Sequence, residues 1–277
     1  MTRIEVAPGY GLSVECQGSG PPIVVLHGFT GSAANAPLGS RLAVAHTVIA
    51  IDAPGHGQSD RPADLDHYRM AQAVEDAVQA LRNLGHARAA WLGYSMGGRW
   101  ALSIAAAHPE AIERLVVIGA SPGIAAAEER AARVASDETL AQRILNEGVA
   151  AFVDYWENIP LFASQKSLPE AVRARVREGR MRNDAHGLAN SLRGMGAGAQ
   201  EPVFKALPRM AFPALILAGE WDTKYVGIGK DLAVALPSAR FASIANAGHA
   251  AHLENPEGCL ALIEPFLTEP SATGAPS

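Results

Sequence analysis

Five residues carry the first sign of chemistry. Gly93-Tyr94-Ser95-Met96-Gly97 has the G-x-S-x-G spacing of a nucleophile elbow. In that device a strand turns sharply into a helix and lifts a serine hydroxyl above the sheet edge. A hydroxyl is a weak nucleophile and a weak base at neutral pH, so a histidine must take its proton. A carboxylate must then fix the tautomer of that histidine and stabilise the imidazolium. Asp222 and His249 follow Ser95 in the chain, each just beyond a strand-like apolar run. Glu220 and His252 are the competing choices. Position relative to the strand ends favours Asp222 and His249 as partners of Ser95.

The surrounding elements must deliver that serine. Ala89-Ala90-Trp91-Leu92 reads as a short apolar strand, and residues 100–107 read as a helix that ends before Pro109. Gly93 and Gly97 suit a tight turn around a strained serine, since neighbours without side chains let backbone segments close up. Earlier, residues 4–6 and 12–16 read as strands joined through Pro8-Gly9-Tyr10-Gly11. Pro21-Pro22 opens Ile23-Val24-Val25-Leu26, an unbroken apolar run of the kind a strand buried on both faces requires. That strand leads into His27-Gly28-Phe29-Thr30-Gly31-Ser32. Val48-Ile49-Ala50-Ile51 is a further buried strand, and His56 in the loop after it reads as structural. Met70, Val74, Val78, Leu81 and Leu84 recur at helical spacing with Gly85 as a stop. Leu115-Val116-Val117-Ile118, Pro213-Ala214-Leu215-Ile216-Leu217 and residues 239–244 supply more strands, and residues 257–267 a last helix. Such alternation predicts an α/β fold with right-handed crossovers and a mostly parallel central sheet flanked by helices.

Between residues 124 and 207 the alternation stops. Helical patterns cover 128–134, 137–156, 170–183 and 185–192, with Asp137 as an N-cap. The segment reads as a helical cap inserted over the site, which divides the core into residues 1–123 and 208–268. A tail at 269–277, rich in Pro, Ser, Gly and Ala, is expected to be disordered.

Composition narrows the function. The chain has 277 residues, 48% hydrophobic and 18% charged, enough for one large domain with a sizeable core. A net charge of −5 leaves no basic footprint for nucleic acid. No apolar run reaches membrane-spanning length, and the first residues lack a signal-peptide core, so a cytoplasmic protein without membrane insertion is expected. Cys16 and Cys259 fit no metal or redox spacing and read as buried thiols. No metal and no cofactor is expected. The oligomeric state stays open.

These residues resemble the α/β-hydrolase superfamily over nearly the whole chain. That fold uses the order serine, acid, histidine, and takes its oxyanion donors from the H-G-x loop and from the residue after the serine. The resemblance therefore implies the N–H groups of Phe29 and Met96. A narrower resemblance is to the 2-succinyl-6-hydroxy-2,4-cyclohexadiene-1-carboxylate (SHCHC) synthases of menaquinone biosynthesis. It is carried by the elbow through Gly98-Arg99 and by cap segments at 128–133, 154–156, 160–164 and 191–196. It implies an elimination of pyruvate from a small polycarboxylate substrate, with the triad as base. By the same resemblance Arg99, Arg133 and Arg180 bind carboxylates, while Tyr94 and Trp156 line the pocket. A serine hydrolase (esterase, thioesterase or carbon–carbon bond hydrolase) is the alternative that the same triad would serve. Arg99 separates the two, because a neutral ester gives no reason for a guanidinium one turn from the serine.

Overall fold

The computed structural model describes residues 1–270. Eight strands form one sheet in the order β1-β2-β4-β3-β5-β6-β7-β8. The first two, β1 (Thr2–Ala7) and β2 (Tyr10–Gln17), make an antiparallel hairpin, and β2 also runs antiparallel to β4 (Thr47–Ile51). From β4 onward the sheet is parallel through β3 (Pro22–Leu26), β5 (Ala89–Tyr94), β6 (Ile112–Ile118), β7 (Ala214–Gly219) and β8 (Ala239–Ile244). Tyr10 and Gly11 belong to β2, so the hairpin turn is tighter than the sequence suggested.

The unbroken apolar runs have a direct cause. Successive side chains point to opposite faces of a strand, and both faces here are covered. Val24, Leu26, Trp91, Leu115, Val117 and Ile216 face α2 (Met70–Asn83), α3 (Met96–Ala107) and α7 (Thr223–Ala235). Ile23, Val25, Leu92, Val116, Leu215 and Leu217 face α1 (Gly39–Leu42), α8 (Ala251–Glu254) and α9 (Pro256–Thr268). Burying each such side chain stabilises the fold by about 1.5–3 kcal/mol before chain entropy is subtracted.

Between β6 and β7 the chain is helical: α4 (Ala127–Trp156), α5 (Glu170–Met181) and α6 (Ala185–Met195), with a 3₁₀ stretch at Pro160–Ser167. A third, smaller apolar cluster holds this region together through Ile144, Phe152, Val153, Leu188 and Leu192. Phe29 packs against both this cluster and the one beneath α2 and α3.

Several expectations need correction. The separate helices at 128–134 and 137–156 are one helix, and its break falls at Gly148 (φ 80°, ψ 170°) instead. Asp137 is therefore no N-cap. It is an interior residue, 5% exposed, whose carboxylate accepts from Arg133 Nε at 2.8 Å one turn back. The cap of α6 is Asp184, which accepts from Gly187 N. Cys259 is buried, but Cys16 is exposed, because β2 outruns its cover after Val14. Glu269 is not loose: its carboxylate pairs with Arg240 at 2.7 Å and its carbonyl accepts from Arg114. The rest of the expected disordered tail, 271–277, lies outside the described residues.

Candidate active site

Ser95 sits where β5 becomes α3. Its backbone is at φ 53°, ψ −111°, a conformation that costs a non-glycine residue on the order of 1–3 kcal/mol. Close packing on both sides over-determines it. A Cβ on Gly93 would lie 2.2 Å from the carbonyl oxygen of Gly97, and one on Gly97 would lie 2.3 Å from that of Leu26. Both glycines of the motif thus permit backbone contact across the elbow, and Ser95 N donates to Ile118 O at 2.9 Å.

The three proposed partners meet at the carboxyl edge of the sheet, where open α/β sheets place ligands. His249 Nδ1 donates to Asp222 Oδ2 at 2.7 Å, and Ser95 Oγ donates to His249 Nε2 at 3.0 Å. The histidine is 2% exposed. Its loop is fastened by Glu254, whose carboxylate accepts from Gly248 N at 2.7 Å and Ala250 N at 3.2 Å. The competing residues stand elsewhere. Glu220 accepts from Asn246 N, and His252 stacks 4.3 Å from the Tyr94 ring with its Nδ1 unpartnered among the described residues. Burial first, then His249, pushes the His252 pKa down to about 3, so its ring stays neutral.

Met96 directly follows Ser95, and Phe29 lies on the loop after β3, the strand paired with β5. Met96 opens α3, so its N–H is one of the amides a helix leaves unpaired. Among the described residues no acceptor pairs with the N–H of Met96 or of Phe29. The loop that carries Phe29 is braced by His27, which accepts from Ala53 N at 3.0 Å through Nε2 and donates to Gly28 O at 2.8 Å through Nδ1. Burial keeps this imidazole neutral, as its accepting nitrogen requires. Asp52 adds bonds to Ala33 N and Gln58 N. His56, fully buried against Pro54 O and beside His27, is part of the same brace.

The expected substrate-binding residues are placed unequally. Arg99 is one turn into α3, its backbone N–H bonded to Ser95 O at 3.0 Å, and the residue is 9% exposed. Burial pushes its pKa down to about 10, which leaves it cationic at neutral pH. Arg180 is 7% exposed and lies over the Phe162 ring at 5.1 Å. Arg133 is the outermost, its side chain 44% exposed. Tyr94 and Phe29, together with Phe162, Gln165, Arg180 and His252, line a cavity of about 460 Å³, a size suited to a small organic ligand, while Ser95, Arg99, Arg133 and Trp156 do not line it. Trp156 packs edge-on to Phe29 at 5.5 Å.

Three nearby residues had no signal in the sequence reading. Tyr225, in the first turn of α7, stacks 4.8 Å from His249. Asp222 heading a helix was the clue that would have placed it. Gln200 accepts from Arg99 Nη1 at 2.9 Å, and Gln165 accepts from Arg180 Nη2 at 3.2 Å. No spacing rule links a glutamine to an arginine far along the chain.

Comparison with known proteins agrees with this fold. A family model of the alpha/beta hydrolase fold matches residues 21–256. A Bacillus subtilis protein provisionally named for SHCHC synthase is 39% identical over 96% of this chain and 98% of its own. The SHCHC synthase of Salmonella paratyphi C is 33% identical over 91% of this chain and 95% of its own. Among solved structures, MenH from S. aureus superposes with a TM-score of 0.86 at 30% identity, covering 92% of this chain and 97% of that one. An enol-lactonase from Burkholderia xenovorans LB400 gives 0.80 at 25% identity, over 96% and 99%. With the fold matched along most of the chain and the synthases matched over nearly all of it, this protein belongs to the alpha/beta hydrolase fold family and, within it, to the SHCHC synthases.

Proposed function

We propose that the chain is a lyase of menaquinone biosynthesis, which expels pyruvate from 2-succinyl-5-enolpyruvyl-6-hydroxy-3-cyclohexene-1-carboxylate to give SHCHC. The observation that carries this reading is Arg99: a buried guanidinium one turn from the serine, held by an amide rather than a carboxylate. A neutral ester would leave that charge unanswered, at considerable desolvation cost.

In this reading His249 takes the hydroxyl proton of Ser95, and the serine oxygen takes the ring proton α to the succinyl ketone. Asp222 stabilises the imidazolium. The released electron pair moves through the ring double bond, and the carbon–oxygen bond to the enolpyruvyl group breaks. The expelled enolpyruvate takes the proton held by His249 and becomes pyruvate, which returns the histidine to its neutral form. Charge that develops on the ketone oxygen faces the N–H groups of Phe29 and Met96, which are supplied without reorganisation. Arg99 and Arg180 hold carboxylates of the substrate, where a planar guanidinium can give two parallel bonds, and Arg133, bonded to Asp137 through Nε alone, offers its remaining N–H groups to the third. Tyr94 and Trp156 wall the ring.

The test is pyruvate release from the authentic substrate, followed by coupled reduction to lactate. A protein that cleaves p-nitrophenyl esters yet releases no pyruvate would be a serine hydrolase instead. Arg99→Ala is expected to lower kcat/KM for the tricarboxylate by about 1.5–3 kcal/mol, the range for hydrogen bonds to a charged group. Arg99→Lys should recover only part, since an ammonium lacks the planar fork. Equal losses on a neutral ester would mean that Arg99 supports the elbow and not the ligand.

A further inference from the structure

Several arginines of this chain have a carboxylate partner, and others bond backbone carbonyls. At the surface Arg3, Arg41, Arg143, Arg177 and Arg240 each pair with a carboxylate at 2.5–2.8 Å. The two buried arginines beside the site do not. Arg99 donates to Gln200, which is 1% exposed, and Arg180 donates to Gln165, which is 8% exposed. This inverts the usual order, in which a buried cation is the one most in need of a counter-charge.

Both glutamines are built in. The amide of Gln200 is fixed at each end: its oxygen faces Arg99 Nη1, and its nitrogen donates to Ser103 Oγ at 3.2 Å. Ser103 Oγ in turn donates to the carbonyl of Arg99 at 3.0 Å, which closes a ring of three residues on α3 and the loop after α6. That fixes which way the amide points, so the oxygen and not the nitrogen meets the guanidinium. Gln165 stands on the 3₁₀ stretch that roofs the cavity, with Arg180 held between it and the Phe162 ring. Carboxylates are not far off. Asp137 is close enough to act on Arg99 through space but is bonded to Arg133. Glu157 acts on Arg180 in the same way but is bonded to Arg177 at 2.6 Å. Neither carboxylate is hydrogen-bonded to Arg99 or Arg180, although Asp137 Oδ2 has no partner among the described residues.

We infer that Gln200 and Gln165 are specificity-determining positioning residues, neutral clamps that aim Arg99 and Arg180 at the substrate while leaving their charge for its carboxylates. The inference rests on the polycarboxylate reading above and adds what sets it. An amide oxygen orients a guanidinium through one hydrogen bond without cancelling it. A carboxylate in the same place would orient it equally well and compete with the ligand for both charge and the paired N–H groups.

Glutamine to glutamate tests this with almost no change of shape. Gln200→Glu and Gln165→Glu should each raise KM for the tricarboxylate substrate at least tenfold, with kcat changed by less than about threefold. Labelling of Ser95 by a neutral fluorophosphonate should fall far less than kcat/KM does. The thermal midpoint should hold or rise, because a buried cation gains a partner. Gln200→Met and Gln165→Met remove the acceptor without adding charge and should raise KM by less than the glutamates. Tricarballylate serves as a probe that needs no turnover. It should protect the wild type against thermal unfolding and lose most of that effect in the glutamate variants. Unchanged KM and unchanged tricarballylate protection in the glutamates would overturn the inference. So would methionine variants that lose as much as the glutamates, since geometry and not neutrality would then be the requirement. If the wild type releases no pyruvate but is protected by tricarballylate in this pattern, the lyase reading falls and the clamps stand.

Discussion

Replacing Ser95 with alanine is expected to lower kcat by about 10²–10⁴-fold, the usual scale for loss of a positioned acid–base group. The methyl group cannot pass a proton, and His249 Nε2 loses the partner it holds at 3.0 Å. The loss could run larger, because residues that act as a unit are strongly non-additive. Substrate binding should change little, since the carboxylates are held elsewhere. The same substitution should leave the stability of the fold nearly unchanged. Ser95 is at φ 53°, which alanine tolerates no better, but no buried hydrogen bond from its side chain holds the elbow apart from that to His249. Single-turnover kinetics on the pure variant, with the thermal midpoint alongside, make the measurement. Turnover near the wild-type rate would remove the serine from the mechanism.

The second large effect belongs to Asp222. In Asp222→Asn the amide nitrogen can face His249 Nδ1, which would then have to accept. That puts the ring proton on Nε2, pointing at Ser95, and the histidine can no longer take the hydroxyl proton. A loss in kcat on the scale of 10⁴ follows, with KM largely kept. Asp222 also heads α7, where its Oδ1 accepts from Tyr225 N at a long 3.5 Å. Asparagine preserves that cap. Alanine removes it and should cost an additional 0.5 kcal/mol or so of stability, at the low end for such caps because the bond is long. A comparison of Asn and Ala by kinetics and denaturation separates the two duties of one carboxylate. If Glu220→Gln abolished activity while Asp222→Asn kept it, the acid would be misassigned.

The reach of the sequence is uneven for physical reasons. The strands of the sheet were readable because burial on both faces demands continuous apolar runs such as Ile23-Val24-Val25-Leu26. The elbow was readable because its backbone contacts tolerate only glycine at Gly93 and Gly97. The helices between β6 and β7 were harder. A helix packed over a small cluster needs few apolar positions, so α4 carried a weak pattern and Asp137 looked like a start signal. Its true partner, Arg133 one turn away, is an equally common use of an acidic residue. Gln200 was out of reach altogether. Its meaning lies in a contact across 101 positions, and its side chain carries no charge to draw notice.

The separateness of the third apolar cluster has a consequence for motion. Ile144, Phe152, Val153, Leu188 and Leu192 pack mainly on one another, whereas the strands and the elbow rest in the two larger clusters. Proteins open in cooperative units whose free energies follow the apolar contacts each unit must break. The amides of α4 that face this cluster are expected to exchange through an opening that leaves β5 and Ser95 in place, whereas α6 is also tied to the core through Met195 and Ser191. Phe29 packs on the third cluster and on the core at once, and it is a proposed oxyanion donor. Opening of that cluster is therefore expected to unload one side of Phe29, the proposed oxyanion donor, and its closing to press that residue home.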